Sequence, residues 1–396
     1  MSSNTASLVV PRSATSLDRI GLGLLLAFVA SLQISIAAAN ILLAATLVVW
    51  AATLARANTR PSWPPFFPML AAYAGMTLVA SAFSLDPAAS FVDSKQLLLF
   101  LVVPAVYDLA RGERATTVVD VIVTIGAASA AYGIVQYGML HYDNLGKRPQ
   151  GALTHYMTYS GVLMLVLGTA VARLVFGVRD RIWPALVLPA LIVALALTFT
   201  RSAWVGASVA VGLLFVLKDF RLTGILPVVI AVVFAVAPDG VTNRMLSVFD
   251  LKDPTNRDRV AMLSTGAAII QADPLTGVGP NMVPRVYETF RSANSVEARN
   301  PHLHNVPLQI AAERGVPALL VWLGFVGVLG VRLFRNFTSH RDRTLAATGL
   351  AAVAAMLAAG FFEYNFGDSE FLMLFLVLVT LPFAATRTDA APAAHA

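Results

Sequence analysis

The chain has 396 residues, 57% hydrophobic and only 13% charged, with 28 Lys and Arg against 22 Asp and Glu and no cysteine. Soluble globular chains carry about 25% charged residues. Half that charge cannot cover a water-soluble surface of this size, which excludes soluble enzymes, disordered chains and nucleic-acid binders. The missing cysteines exclude disulfides, thiolate metal sites and a Cys nucleophile. With a mean hydropathy of +0.73, the chain reads as an all-α polytopic membrane protein. There the placement of the +6 net charge matters more than its sum.

Apolar runs of about 17–25 residues span a bilayer as helices. Twelve are read in chain order: 20–37, 40–56, 67–84, 96–110, 117–140, 159–177, 182–199, 202–217, 222–238, 316–334, 344–362 and 368–385. The run 96–110 is short, and the joints at 37–40 and 199–202 are tight enough for kinks or re-entrant turns. The first run follows Arg12 and Arg19 and precedes Ala37-Ala38-Ala39, as a signal peptide would. Its apolar stretch exceeds the usual 7–15 residues and further spans follow, so it is expected to be an uncleaved first helix. The organisation is therefore spans one to nine in 1–238, a loop with amphipathic helices in 239–315, and spans ten to twelve with a short tail in 316–396. No internal repeat is evident.

Sixteen basic residues, among them Arg12, Arg111, Arg179 and Arg341, fall in one set of short loops. The other set holds four, Lys95, Lys147, Arg148 and Arg201. The positive-inside rule then puts both termini in the cytoplasm and the long loop outside.

Four of the six histidines (His141, His155, His302 and His304) fall on that outer side. Histidine and arginine without cysteine suggest acid–base chemistry on an anionic substrate. In Pro301-His302-Leu303-His304-Asn305 and the residues after it, 303–314 reads as a short amphipathic helix stopped by Gly315. His304 would then sit near the helix start at the membrane surface, where a neutral imidazole can take a proton from a sugar hydroxyl. Two other readings stay open: interfacial residues that pack the loop, or a two-histidine metal site completed by His141, His155, Glu363 or Asp368.

Arg201, in Thr198-Phe199-Thr200-Arg201-Ser202-Ala203-Trp204, has helix on both sides. Such a charge costs about 2.5–3.5 kcal/mol at a helix centre unless it has an anionic partner; the alternative is snorkelling to head groups. In the loop, Asn256-Arg257-Asp258-Arg259 precedes an apolar segment whose Val260, Leu263, Ala267 and Ile270 share a helical face that can lie on the membrane. The alternative is an ordinary solvated charge cluster, with Asp258 between the arginines. The loop holds eight basic and eight acidic residues, so an anion site there must come from individually placed arginines. Gly277-Val278-Gly279-Pro280 is a turn, too far from a strand to be a dinucleotide loop. Arg148-Pro149-Gln150-Gly151 either lends Arg148 to the same site or is a polar turn.

Taken in order, these motifs resemble the membrane O-antigen ligase and polymerase superfamily. They are R-P-Q-G-A-L-T-H before span six, T-F-T-R-S-A-W at the seven–eight junction, D-R-V-A-M-L with D-P-L-T-G-V-G-P in the loop, and H-L-H-N-V-P-L-Q-I-A-A-E-R-G before span ten. The resemblance covers 148–325 by motif and the whole chain by topology; Leu263 departs from it, where relatives often carry an aromatic. It implies a GT-C-like multi-span glycosyltransferase of a Gram-negative inner membrane with its site facing the periplasm. The donor would be an undecaprenyl-diphosphate-linked glycan. The acceptor of the ligase, the member this chain most resembles, is a sugar of lipid A–core; the polymerase uses the same donor. A third activity, O-linked protein glycosylation, goes with an extended C-terminal region, which is not expected where the chain ends about ten residues after the last span. The resemblance further implies that Arg201 and Arg259 bind the diphosphate, with Arg148 and Arg257 as helpers. His304, or His302 in its place, would be the general base of an inverting, metal-independent transfer with no cofactor. The rival class is a twelve-span carrier, which has little need for a 77-residue outer loop at 239–315.

Overall fold

A computed structural model describes residues 16–178, 181–250, 252–340 and 342–387; Arg12, Arg179 and Arg341 of the loop charges lie outside them. The described residues begin with α1 (Ser16–Ser31), α2 (Ile36–Ala57) and α3 (Phe67–Ala82). Next come α4 (Pro87–Asp93) and α5 (Val102–Leu109), joined by a 3₁₀ segment, Ser94–Leu101. α6 (Arg114–Met139), α7 (Tyr156–Phe176), α8 (Ile182–Leu197), α9 (Arg201–Lys218) and α10 (Ile225–Val236) follow. The loop contributes α11 (Asp239–Leu246), α12 (Pro254–Ala272) and α13 (Val283–Phe290), and α14 (Val306–Ser339), α15 (Thr344–Gly360) and α16 (Ser369–Ala385) close the bundle.

A helix stands on each of the twelve apolar runs. Among the described residues, six are long and apolar enough to cross a membrane: Ile36–Ala57, Pro87–Leu109, Arg114–Met139, Tyr156–Phe176, Arg201–Lys218 and Val306–Ser339. α3, α8, α15, α16 and the segment Phe220–Val236 are shorter apolar helices. Two boundaries differ from the sequence reading, both through capping. The first joint lies at 32–35 rather than 37–40, because Ser35 accepts from the Ala38 amide and starts α2 at Ile36. The fourth helix starts far ahead of its apolar run, at Pro87, where Asp86 accepts from the Ala89 amide.

α7 and α16 are buried over almost their whole length, as helices at the centre of a bundle are. α9 and α15 meet through small residues: a Cβ on Gly206 would lie 2.9 Å from the Ala355 carbonyl oxygen. Such close approach fixes a helix pair in lipid, and here it fixes the start of α9. α10 buries no residue. Between it and α7, α8 and α9 runs an open apolar groove, lined by Leu167, Ile192, Trp204, Ala207, Val229 and Met245 among others. At the other end of the bundle, buried Asp108 accepts from Trp50, Ser62, Arg111 and Arg387, tying α2, α5 and the end of α16 together.

Residues 306–314 form a short helix that breaks at Gly315 (φ 80, ψ 165), after which α14 continues as a spanning helix. Its start is Val306, not 303. Asn305 accepts from the Leu308 amide as N-cap, and His304, with φ 47, lies outside the helix. The turn at 277–280 is a strap across this break. Val278 and Gly279 donate to the Ala312 and Glu313 carbonyls at 3.0 Å, and Val316 donates to Pro274 at 2.8 Å. A Cβ on Gly277 (φ +67) would lie 2.4 Å from the Glu313 carbonyl carbon, so only glycine lets the two backbones pass this closely. Met262, Ile269, Met282, Tyr287 and Leu303 pack against Ala312 and seat the loop on the bundle. In α12 the inward face is Asp258, Ala261, Met262, Thr265, Gly266 and Ile269. Val260, Leu263 and Ala267 are exposed, so most of the apolar face read for the membrane stays outside the fold, while Ile270 packs against the loop's own cluster.

Candidate functional site

Several helices begin at one end of the bundle, among them α7 after His155, α9 after Thr200, α12 after Asp253, α14 after Asn305 and α16 after Asp368. Each N-terminus carries partial positive charge and unpaired amides, so this end favours anions before any side chain is counted.

Glu363, in the turn between α15 and α16, joins the two histidines. Its Oε1 lies 2.8 Å from His302 Nε2 and its Oε2 2.9 Å from His304 Nδ1; Oε1 also accepts the Tyr364 amide at 3.1 Å. Burial opposes charge on Glu363, but hydrogen bonds from His302 and His304 hold its carboxyl well below the usual carboxylate range. An ionised carboxylate only accepts, so both facing imidazole nitrogens must be protonated. His304 is then left with a lone pair on Nε2 and His302 with one on Nδ1. Sequence reasoning named Glu363 only as a possible metal ligand; that it would orient both histidines was missed. The three ligand atoms lie within 4.8 Å of one another, a spacing that also fits a cation. The other ligands considered for such a site are engaged elsewhere or apart from it. His155 caps α7 through the Met157 amide. Asp368 accepts from Thr158 and caps α16. His141 is exposed.

Arg201 is only 5% exposed and does not snorkel. Its Nη1 donates to the Ser247 carbonyl (2.9 Å) and Oγ (3.0 Å), and Nη2 faces Asp253 Oδ1 at 3.3 Å. Asp253 is thus the anionic partner that pays for an arginine at this depth. Its other oxygen faces Arg244 Nη1 at 3.4 Å. Neither Arg244 nor Asp253 had been singled out from sequence.

Arg148 stacks on Tyr156 at 4.2 Å and feels the charge of Arg201. Arg259 is within electrostatic reach of Glu363, Arg201, Asp253 and Tyr156, which links the arginine cluster to the histidine pair. Arg148, Arg244 and Arg259 are all pulled below the usual arginine range, by burial first and then by the like charge of Arg201; Arg244 goes down to about 10. All remain charged at neutral pH. Four guanidiniums against the Asp253 and Glu363 carboxylates leave two positive charges unmatched.

Arg257 is exposed and the structure does not bring it to this group, because two residues along a helix point to opposite sides. Asp258 is not part of a solvated cluster either. Buried at 6% exposure, it accepts from Ser295 Oγ, the Val296 and Glu297 amides and Asn300 Nδ2, which holds the segment leading to His302. Glu313 and Arg314 form a buried pair at 2.8 Å.

Residues 184–323 match the family model for O-antigen ligase. This match, over about a third of the chain, supports membership of the O-antigen ligase and polymerase superfamily. The matched segment runs from α8 into α14 and contains Arg201, Arg244, Asp253, Arg259, His302 and His304, while Arg148 and Glu363 come from outside it. No curated protein sequence matches the chain.

Proposed function

We propose that this chain transfers O-antigen polysaccharide from undecaprenyl diphosphate to a sugar hydroxyl of lipid A–core, with inversion at the anomeric carbon and no metal. The observation that carries the reading is the pairing of an arginine cluster with two unmatched positive charges and a carboxylate-oriented histidine pair. A diphosphate diester carries one negative charge on each phosphate, which matches that surplus. Guanidinium forks suit phosphate oxygens in bidentate geometry.

The chemistry follows from the placement. His304 Nε2 takes the proton of the acceptor hydroxyl as its oxygen attacks the anomeric carbon. The bond from that carbon to the diphosphate oxygen breaks, and the electron pair leaves with the diphosphate. Arg201, Arg259 and Arg148 stabilise the charge that develops there, often the largest single contribution to catalysis. Glu363 holds the His304 tautomer and balances the imidazolium; general-base help of this kind is worth about 10²–10⁴-fold. The groove beside α10 opens next to Trp204 and Met245, each within three residues of Arg201 or Arg244, and suits the isoprenoid chain of such a donor.

In this reading the twelve helices all span a Gram-negative inner membrane in a GT-C-like arrangement, both termini are cytoplasmic, and the site opens to the periplasm. A polymerase would use the same clamp and differ only in acceptor. The carrier reading is weaker: the acid it would rest on, Asp120, pairs with Arg173, at the end of α7 away from the site. The test is reconstitution with a polyprenyl-diphosphate glycan and lipid A–core in the presence of EDTA, with products sized on a gel. Glycan on lipid A–core supports the ligase, glycan lengthening on its own lipid makes it a polymerase, and neither product beside a working ligase refutes both.

A further inference from the structure

A carboxylate of the protein stands between two of the guanidiniums assigned to the donor. Asp253 faces Arg201 at 3.3 Å and Arg244 at 3.4 Å, both longer than the 2.7–2.9 Å of tight charge-assisted bonds. It is shared by two forks and held closely by neither. The Arg201 fork is also anchored without it, and the backbone of Arg244 is held at the same point. Ser247 anchors Arg201 through its carbonyl and hydroxyl, that hydroxyl donates to the Arg244 carbonyl at 2.9 Å, and Asn256 Nδ2 holds the Ser247 carbonyl at 2.9 Å. Arg244 also keeps its Nε buried with no acceptor. Asp253 Oδ1, the oxygen that faces Arg201, also accepts the Asn256 amide at 3.2 Å as the cap of α12, which keeps the carboxylate on the loop when a phosphate takes the arginines.

We propose that Arg201 and Arg244 form a second phosphate subsite of the donor clamp, filled in the empty protein by the Asp253 carboxylate, which one phosphate of the lipid diphosphate displaces. The inference rests on the diphosphate reading above and adds to it a ligand, Arg244, and an internal competitor. A phosphate offers more acceptor oxygens than a carboxylate and can reach the unused Nε, while Asp253 falls back on its cap. Arg148 and Arg259 hold the other phosphate. A monophosphate lipid needs only Arg148 and Arg259 and leaves Asp253 seated, so Arg244 is what distinguishes the two lipids.

The test is equilibrium binding of undecaprenyl diphosphate and undecaprenyl phosphate to the full chain in nanodiscs. Losing a hydrogen bond to a charged group costs at least about tenfold in affinity, the equivalent of 1.4 kcal/mol. Arg244→Ala should therefore weaken diphosphate binding at least about tenfold and leave monophosphate binding nearly unchanged. Asp253→Asn, nearly isosteric and still able to cap α12, should tighten the diphosphate alone. Melting temperatures confirm that each variant is folded, and Arg244→Lys, which keeps the charge but not the fork, should recover only part of the loss. The inference is overturned if Arg244→Ala leaves the ratio of the two affinities unchanged. It is equally overturned if Asp253→Asn weakens both lipids, which would make Asp253 a brace. If Arg201→Ala and Arg259→Ala lose the diphosphate while Arg244→Ala keeps it, only the second subsite falls. If none of the three loses it, the diphosphate reading itself falls.

Discussion

Replacing Glu363 by Gln changes one atom and should remove most of the general-base chemistry. The carboxylate serves three donors: His302 Nε2 (2.8 Å) and the Tyr364 amide (3.1 Å) at Oε1, and His304 Nδ1 (2.9 Å) at Oε2. A glutamine has one carbonyl oxygen to offer. Two donors converge at the Oε1 position, so the carbonyl settles there and the NH₂ group faces His304. Nδ1 of His304 must then accept, its proton moves to Nε2, and the nitrogen that should take the acceptor proton is blocked. The expected loss is the whole general-base contribution, about 10²–10⁴-fold in kcat, close to that of His304→Ala. Donor KM should change little, since the arginines are untouched. The assay is single-turnover transfer in nanodiscs under saturating donor, with EDTA present. A Glu363→Gln enzyme within about threefold of the parent refutes the argument, given the 10²-fold minimum expected. If His302 were the base, the same substitution would spare it, because the carbonyl still faces it; near-normal kcat with loss in His302→Ala would move the role there. If the cluster instead holds a cation, EDTA alone abolishes transfer and a divalent ion restores it.

Three further outcomes follow from the same geometry. Arg201→Lys keeps the charge but loses the fork to Ser247 and Asp253, so transfer should fall at least about tenfold, or 1.4 kcal/mol, measured as kcat/KM for the donor; a fully active variant refutes bidentate contact. Gly277→Ala puts a methyl 2.4 Å from the Glu313 carbonyl carbon in a left-handed conformation, which alone costs about 1–2 kcal/mol; a clear drop in melting temperature is expected, and an unchanged one refutes the strap. Burial raises Asp253, but Arg201 and its cap amide outweigh that and hold it below the usual carboxylate range. A lowered folded pKa gives stability that is present above the unfolded value, about 3.9, and lost as pH falls through the lowered one. The melting difference between parent and Asp253→Asn should thus be flat from neutral pH to about 5 and close only below 4; a difference that closes near neutrality refutes the pairing.

What could be read from the chain beforehand divides along a physical line. Arg201 and His304 stand out because a charge or an imidazole beside an apolar run is costly wherever it ends up, so each advertises a partner before the partner is known. The helices show for the same reason, since twenty apolar residues have few alternatives in lipid. Asp253, Arg244 and Glu363 do not stand out. Each lies in a polar turn or loop where charge costs little, and each becomes informative only when folding sets it against a group more than forty residues away or, for Arg244, across the α11–α12 turn. Asp258 is hidden for the opposite reason: between two arginines it looks solvated, yet the helix turns it inward to hold the segment before His302. The helix starts at Ile36 and Val306 were missed because Ser35 and Asn305 cap through side chains, a signal carried by one atom rather than by a pattern. The site itself follows from this division. Apolar runs and the loop packed on them bring helix starts together at one end, the costly cations gather there, and the carboxylates that balance them arrive from loops. A clamp assembled in that way is left short of two negative charges, and a lipid diphosphate brings two.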